Sequence, residues 1–259
     1  MAHHGEEPPI SGKNGSGTIF FSHCNMGCVY CQNYEFSQLG KGREYTPEQL
    51  AEVMLNLQNL GCHNINLVTP THVLPQILLS LELAVVQGLN IPLVYNTSGY
   101  ELPQTIKLLD GIVDIYLADM RYADSAIAQR LSKAADYPQY NQAAIKEMYR
   151  QVKEAEFDAD GLMKRGLIIR HLVLPLDCSG TDKIMRFIAQ EVSADTYISL
   201  MSQYLPYHKA SDFIEINRRL KAQEYAQAKA ILKKYNLSNG WTQESYCPER
   251  FAGVNIKPS

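Results

Sequence analysis

The chain lacks what would place it in a membrane, on nucleic acid or outside the cell. Its longest apolar stretch, residues 77–86, is interrupted by Glu82 and is too short to cross a bilayer. The first residues, Met1-Ala2-His3-His4-Gly5-Glu6-Glu7, lack the basic-then-apolar order of a secretory signal, so a cytoplasmic location is expected. Blocks of like charge are also missing, and the formal net charge is only -3, which excludes nucleic acid and membrane surfaces from the expected partners. Gly15-Ser16-Gly17 is too short for a phosphate loop and is followed by strand-like sequence, so it reads as a turn. His3, His4, Glu6 and Glu7 read as a polar terminus.

Cysteine is scarce and unevenly placed. Of six, Cys62, Cys178 and Cys247 are scattered and read as buried or incidental thiols, whereas Cys24, Cys28 and Cys31 crowd into one short segment. A disulfide framework does not suit 259 residues whose 46% hydrophobic content can fill a core. Clustered cysteines in such a chain point to metal. A second, ferredoxin-like cysteine set is missing, so one cluster is expected.

The order of elements predicts an α/β fold. Residues 18–21 form a β-branched and aromatic run that leads into the cysteines. Thr46-Pro47-Glu48-Gln49 opens a helix with a capping box. Its apolar stripe is Leu50, Val53, Met54, Leu57 and Leu60, and Gly61 ends it. Strands are expected over 65–68, 92–96, 114–118, 166–174 and 197–201. Helices are expected over 74–87, 102–109, 141–155 and 181–192, with a last one carrying Ala222, Tyr225, Ala228 and Leu232 on one face. Six strand-helix pairs imply a partial (β/α)6 TIM-like barrel, with a doubly wound open sheet as the rival. One domain spans 1–259, with its core at 16–206 and a C-terminal helix and tail at 207–259. Ligands are expected at the carboxyl ends of the strands.

The segment Cys24-Asn25-Met26-Gly27-Cys28-Val29-Tyr30-Cys31 spaces three thiols as Cys-x3-Cys-x2-Cys, enough to hold three corners of a 4Fe-4S cubane and leave one iron open. The alternative is a closed zinc site with His23 as fourth ligand. Adjacent His23 and Cys24 would then have to bend onto one tetrahedron, and a second Cys-x2-Cys knuckle is lacking.

This motif, the surrounding residues 3–38 and three later segments resemble the pyruvate formate-lyase activating enzyme-like branch of the radical S-adenosylmethionine (SAM) superfamily. The later segments are Asn66-Leu67-Val68-Thr69-Pro70-Thr71-His72, Tyr116-Leu117-Ala118-Asp119-Met120-Arg121-Tyr122 and Arg170-His171-Leu172-Val173-Leu174-Pro175. The resemblance implies a 4Fe-4S cluster on Cys24, Cys28 and Cys31, with SAM chelating the open iron. It places Tyr30 against the adenine and Asn96 and Ser98 near the ribose and methionyl group. Arg121, beside Asp119, takes the role of a lysine that pairs with the SAM carboxylate, and Arg170 and His171 are second candidates. Where the family carries Gly-Gly-Glu, this chain has Thr69-Pro70-Thr71, so the amino-group contact falls to Thr69, Thr71 or backbone oxygens.

The implied activity is reductive cleavage of SAM to a 5'-deoxyadenosyl radical that abstracts a hydrogen atom. The first expected partner is a glycyl-radical enzyme, with flavodoxin or ferredoxin as electron donor. A radical SAM enzyme acting on a peptide or small molecule is the second reading. A non-catalytic iron-sulfur carrier is the third, disfavoured because a carrier gains from four protein ligands.

Overall fold

The computed structural model describes residues 1–242; Cys247 and the weakly patterned segment from 243 onward lie outside the described residues. The strands are β1 (Ala2–His3), β2 (Ser16–Phe20), β3 (Ile65–Val68), β4 (Leu93–Thr97), β5 (Ile115–Asp119), β6 (Glu156–Phe157), β7 (Met163–Leu172), β8 (Tyr197–Met201) and β9 (Gly240–Thr242). The helices are α1 (Pro8–Ser11), α2 (Tyr34–Ser37), α3 (Pro47–Asn59), α4 (Leu74–Val86), α5 (Pro103–Lys107), α6 (Ser125–Ser132), α7 (Tyr137–Val152), α8 (Thr181–Phe187) and α9 (Ala222–Lys234). Strands β2, β3, β4, β5, β7, β8 and β9 pair in parallel and in that order. The order never reverses, as a doubly wound sheet would require, so the sheet is a curled half-barrel. Antiparallel β1 and β6 attach to β2 and β7.

Alternation along each strand separates two layers. Leu67, Tyr95, Tyr116, Ala118, Leu167, Ile169, Ile198 and Leu200 pack outward under the helices. Their alternates Val94, Ile115, Leu117 and Ile168 face inward. Toward the strand ends the same inward positions become polar, at Asn96, Asp119 and Arg170, while Asn66 is a polar exception deeper in the barrel, level with Val94. The barrel is thus apolar at the amino ends of its strands and polar where they finish.

Local chemistry accounts for the elements around this frame. Thr46 and Gln49 form the reciprocal capping box of α3, with the Gln49 amide donating to Thr46 Oγ1 at 3.3 Å and the Thr46 amide to Gln49 Oε1 at 3.0 Å. Leu60, expected on the apolar stripe, is 73% exposed because it lies just past the last helical turn. Ala222 is also exposed, at the first residue of α9, while Tyr225, Ala228 and Leu232 are buried. Helix α6 was not expected from composition; Asp124 caps it, accepting from the amides of Ala126 and Ile127. Ser16 and Gly17 belong to β2 rather than to a turn, and a Cβ at Gly17 would meet the Asn64 carbonyl at 2.6 Å.

The amino-terminal segment is not a solvated terminus. Strand β1 pairs with the start of β2, and α1 then crosses the floor of the barrel. Ile10, fully buried, packs among Val94, Ile115, Leu117, Met163 and Ile168, burial that contributes about 2 kcal/mol. Glu6 and Glu7 are buried with it, because closing the floor draws their side chains under the strands. Among the described residues no helix is long and apolar enough to cross a membrane.

Candidate active site

The three clustered cysteines sit on the loop that follows β2, at the polar end of the barrel. The loop is held from outside by α6: the amides of Gly27 and Val29 donate to the carbonyls of Ser132 and Leu131, each at 2.9 Å. Gln38 Nε2 donates to the Cys28 carbonyl at 2.9 Å, and the Lys209 amide to that of Val29 at 2.8 Å. Cys24, Cys28 and Cys31 then line a single cavity together with Tyr30, Thr69, Asn96, Ser98, Asp119, Arg121 and Arg170.

Each sulfur has a polar neighbour. The Met26 amide points at Cys24 Sγ (3.4 Å), and Ser37 Oγ lies 3.1 Å from Cys31 Sγ. Cys28 Sγ accepts from Ser132 Oγ (3.0 Å) and Arg121 Nη1 (3.4 Å). Such donors stabilise thiolate charge and tune a cluster held by those sulfurs. Burial pushes the Cys24 thiol up to about 11 and raises that of Cys31, so iron must displace protons on binding.

The donor set fits a cubane better than a mononuclear ion. His23 is exposed, its ring lies edge-on to His72 at 6.4 Å, and it does not line the cavity. Among the described residues no three His, Cys, Asp or Glu side chains gather around one point as a single metal ion requires. Three thiols lining one cavity, with no fourth among the described residues that line it, are what three corners of a cubane need.

Beside the sulfurs lies a charged network. Asp119 Oδ2 accepts from Arg121 Nη2 (2.5 Å) and Nε (3.1 Å), and its Oδ1 from Arg170 Nε (2.7 Å). Burial opposes ionisation of Asp119, but the guanidiniums of Arg170 and Arg121 outweigh it and hold the carboxyl below its usual range. Burial likewise disfavours charge on Arg121, and Asp119 more than offsets it. Arg170 Nη2 also donates to Asn96 Oδ1 at 2.6 Å.

The loops carrying this network are locked from α7. Tyr137 Oη donates to the carbonyls of Ser98 (2.8 Å) and Asp119 (3.0 Å), and Asn141 Nδ2 to those of Gly99 (3.1 Å) and Asp119 (2.9 Å). Gly99, at φ 74°, passes so close that a Cβ would collide with the Asp119 carbonyl and the Asn141 amide. Thr69 holds φ 59°, a backbone that favours glycine, at the position where the resembling family has one. Its amide donates to the Asn96 carbonyl at 2.9 Å.

Two of the residues singled out from sequence lie outside the cavity lining. Thr71 Oγ1 donates to Glu101 Oε1 at 2.6 Å, an oxygen that Thr97 Oγ1 also reaches at 2.5 Å, so this hydroxyl is committed to a buried carboxyl. His171 faces the helix layer by alternation with Arg170; its Nδ1 meets the Met120 carbonyl (2.7 Å) and its Nε2 meets Thr181 Oγ1 (3.0 Å). Burial lowers the pKa of that ring and so disfavours its charged form. Tyr30 is buried yet lines the cavity, and its hydroxyl lies 2.5 Å from that of Tyr122, which in turn contacts Ser132.

Sequence reading missed Glu6, Ser132, Tyr122, Tyr137 and Asn141. For Ser132 and Tyr122 the available signal was Asp124, a helix cap that announces α6. Glu6 also lines the cavity, with its side chain 1% exposed and Oε2 3.7 Å from Arg170 Nη1.

Comparison with known proteins agrees with this geometry. The family model described as Radical SAM superfamily matches residues 18–169, more than half of the chain. An uncharacterized protein of Methanocaldococcus jannaschii, MJ0674, is 34% identical over 233 residues, covering 86% of this chain and 63% of its own length. Streptococcus suis SuiB bound to S-adenosylmethionine superposes with a TM-score of 0.57 at 11% identity, covering 87% of this chain and 50% of that one. The structure of anSMEcpe with bound AdoMet gives 0.57 at 14% identity, covering 86% and 64%. At these identities the two structures speak for the fold. The chain spans between half and two thirds of these relatives' lengths.

Proposed function

Because the chain belongs to the radical SAM superfamily, we propose that it holds a 4Fe-4S cluster on Cys24, Cys28 and Cys31 and uses it with SAM to abstract hydrogen from an organic substrate. The observation that carries this reading is the convergence of three thiols, two arginines and a shared aspartate on one cavity at the strand ends. When bound and reduced by a one-electron donor such as flavodoxin or ferredoxin, cluster and SAM supply a 5'-deoxyadenosyl radical.

The chain's own residues bind and orient. Arg121, fixed by Asp119 beside Cys28, is assigned to the SAM carboxylate, where its planar fork suits a paired contact. Asn96 spends its Oδ1 on Arg170, leaving its amide nitrogen for the ribose, with Ser98 Oγ, 3.4 Å from Asn25 Oδ1, as the second group. Tyr30, with its hydroxyl engaged by Tyr122, offers ring face and backbone to the adenine. Thr69 and neighbouring backbone oxygens take the amino group in place of the missing Gly-Gly-Glu. Burial of these groups keeps water from the reacting centre.

Of the two substrate classes, activation of a glycyl-radical enzyme and modification of a peptide or small molecule, Glu6 favours the second. A glycine loop brings uncharged amides, which would leave that buried carboxylate with no counter-charge but Arg170, 3.7 Å away and already paired with Asp119. The test is anaerobic reconstitution, quantification of iron and sulfide, and measurement of 5'-deoxyadenosine after reduction with SAM present. Stoichiometric zinc without iron would overturn the cluster assignment. Deuterium recovered in 5'-deoxyadenosine from a glycine-labelled glycyl-radical enzyme, and not from labelled peptides or amines, would return the substrate to the first class.

A further inference from the structure

We propose that Glu6 is the recognition point for a protonated amine on the substrate, making the floor of the barrel an amine-binding subsite; this rests on the radical reading above. Glu6 lines the same cavity as the thiols, its side chain is 1% exposed, and neither carboxylate oxygen meets a hydrogen-bond donor among the described residues. Native proteins rarely leave such a group unsatisfied without a use for it.

The nearest cation does not satisfy it. Arg170 Nε and Nη2 are committed to Asp119 and Asn96, and only Nη1 remains toward Glu6, at 3.7 Å. Asn66, fully buried on the inner face of β3, lies close enough to Glu6 to pull on its carboxyl, yet no contact between them has the length and angle of an ordinary hydrogen bond. Burial, then the neighbouring Glu7, raises the Glu6 carboxyl to about 7 against the pull of Arg170 and Asn66, so an arriving cation would draw it into its charged form.

The position is built into the fold. Ser11 Oγ donates to the Glu6 carbonyl at 3.1 Å, and the amides of Ile10 and Ser11 donate to the Glu7 carbonyl at 2.9 and 3.0 Å. Asn64 Nδ2 holds the Ile10 carbonyl at 2.8 Å. The carboxylate therefore enters the cavity on a fixed backbone, from the end of the barrel opposite the cysteine loop. Its neighbour Asn66 lies two residues before the end of β3, whereas Thr69 follows that strand. This depth assigns Glu6 to the substrate rather than to SAM.

An ammonium group has three donors and one positive charge, matching the Glu6 oxygens and Asn66 Oδ1 together. A carboxylate would meet repulsion there, and a hydroxyl would bring no counter-charge.

The experiment uses the cluster-reconstituted, SAM-loaded protein without reductant, so that no turnover occurs. Its thermal midpoint is followed with propylammonium, propionate and propanol at matched ionic strength. Propylammonium is expected to raise the midpoint saturably in the wild type, whereas propionate and propanol do not. Glu6→Gln should bind propylammonium about tenfold more weakly. Glu6→Asp, a carboxylate on a shorter arm, should keep the preference for ammonium over propanol, and it serves where Glu6→Gln does not fold. An equal shift in wild type and Glu6→Gln, or an equal shift from propanol, overturns the proposal. Amine binding that depends on Glu6 in a protein that makes no 5'-deoxyadenosine after reduction would sink the radical reading and keep the amine subsite. The converse pattern would sink the subsite alone.

Discussion

The two ends of the barrel interior are built on opposite rules. At the mouth, each cysteine sulfur has a polar neighbour and Asp119 is bound by two guanidiniums. At the floor, Glu6 and Asn66 are buried just as deeply, yet neither has a hydrogen bond among the described residues. The contrast separates a site pre-organised for cofactors from one that lacks a partner, since a satisfied network rigidifies and an unsatisfied group costs stability until something binds it. Variants at the two ends should therefore differ in size and in sign.

The largest effect falls at the mouth. Cys28→Ala should abolish cluster assembly and SAM cleavage together, because two thiolates do not hold a cubane stably, while Cys62→Ala leaves both intact. Iron content and the visible absorption of the reconstituted proteins decide it. If Cys62 proved equally essential, the mouth would no longer be the cluster end.

Next is the keystone of the charged network. Asp119→Asn leaves two partly buried guanidiniums without their carboxylate, a loss of about 3 kcal/mol in urea unfolding of the apoprotein. Because the Asp119 carboxyl is held below its usual range, its contribution is complete above the ordinary value of 3.8 and is lost as pH falls through the lower folded-state value. A variant as stable as wild type at neutral pH would mean that the network is not what holds the mouth together.

What the sequence made legible follows the same division. Strands 65–68 and 197–201 and the capping box at Thr46 could be read because local pattern and tertiary role coincide there. The cysteines stood out through their spacing, and the residues at the ends of β4 and β5 through the family resemblance. The floor was illegible. Pro8–Ser11 is too short for a helical period, and a glutamate near a terminus looks solvated until long-range packing of Ile10 carries it inside. Thr71 and His171 misled for a related reason: a polar residue next to a strand end can be committed to the helix layer or to Glu101, which only the fold decides.

A smaller effect tests which arginine at the mouth meets SAM. Arg121→Ala should weaken SAM binding by about 1.5–3 kcal/mol while the cluster assembles normally. Arg170→Ala is the comparison. Unchanged SAM affinity in the Arg121 variant, with a large loss in the Arg170 variant, would move the carboxylate contact to β7 and bring it nearer the floor.

The smallest effect has the opposite sign. Glu6→Gln removes a buried carboxylate that loses only a 3.7 Å contact to Arg170, a guanidinium that keeps Asp119, so the ligand-free variant should gain stability, on the order of 1 kcal/mol at pH 8. The sign follows from linkage. Burial raises the folded-state Glu6 carboxyl from 4.5 to about 7, so the folded protein keeps a proton that the unfolded chain has released. Wild-type stability from this group is complete below about 4.5 and is lost as pH rises through 7. The glutamine variant has no such loss, so the two proteins should be close at pH 5 and should separate by pH 8, with the variant the more stable. Urea unfolding of both apoproteins at the two pH values measures it. A variant less stable than wild type at pH 8 would mean that the Arg170 contact already satisfies Glu6 in the folded protein, and the distinction between mouth and floor would fail at the residue on which it rests.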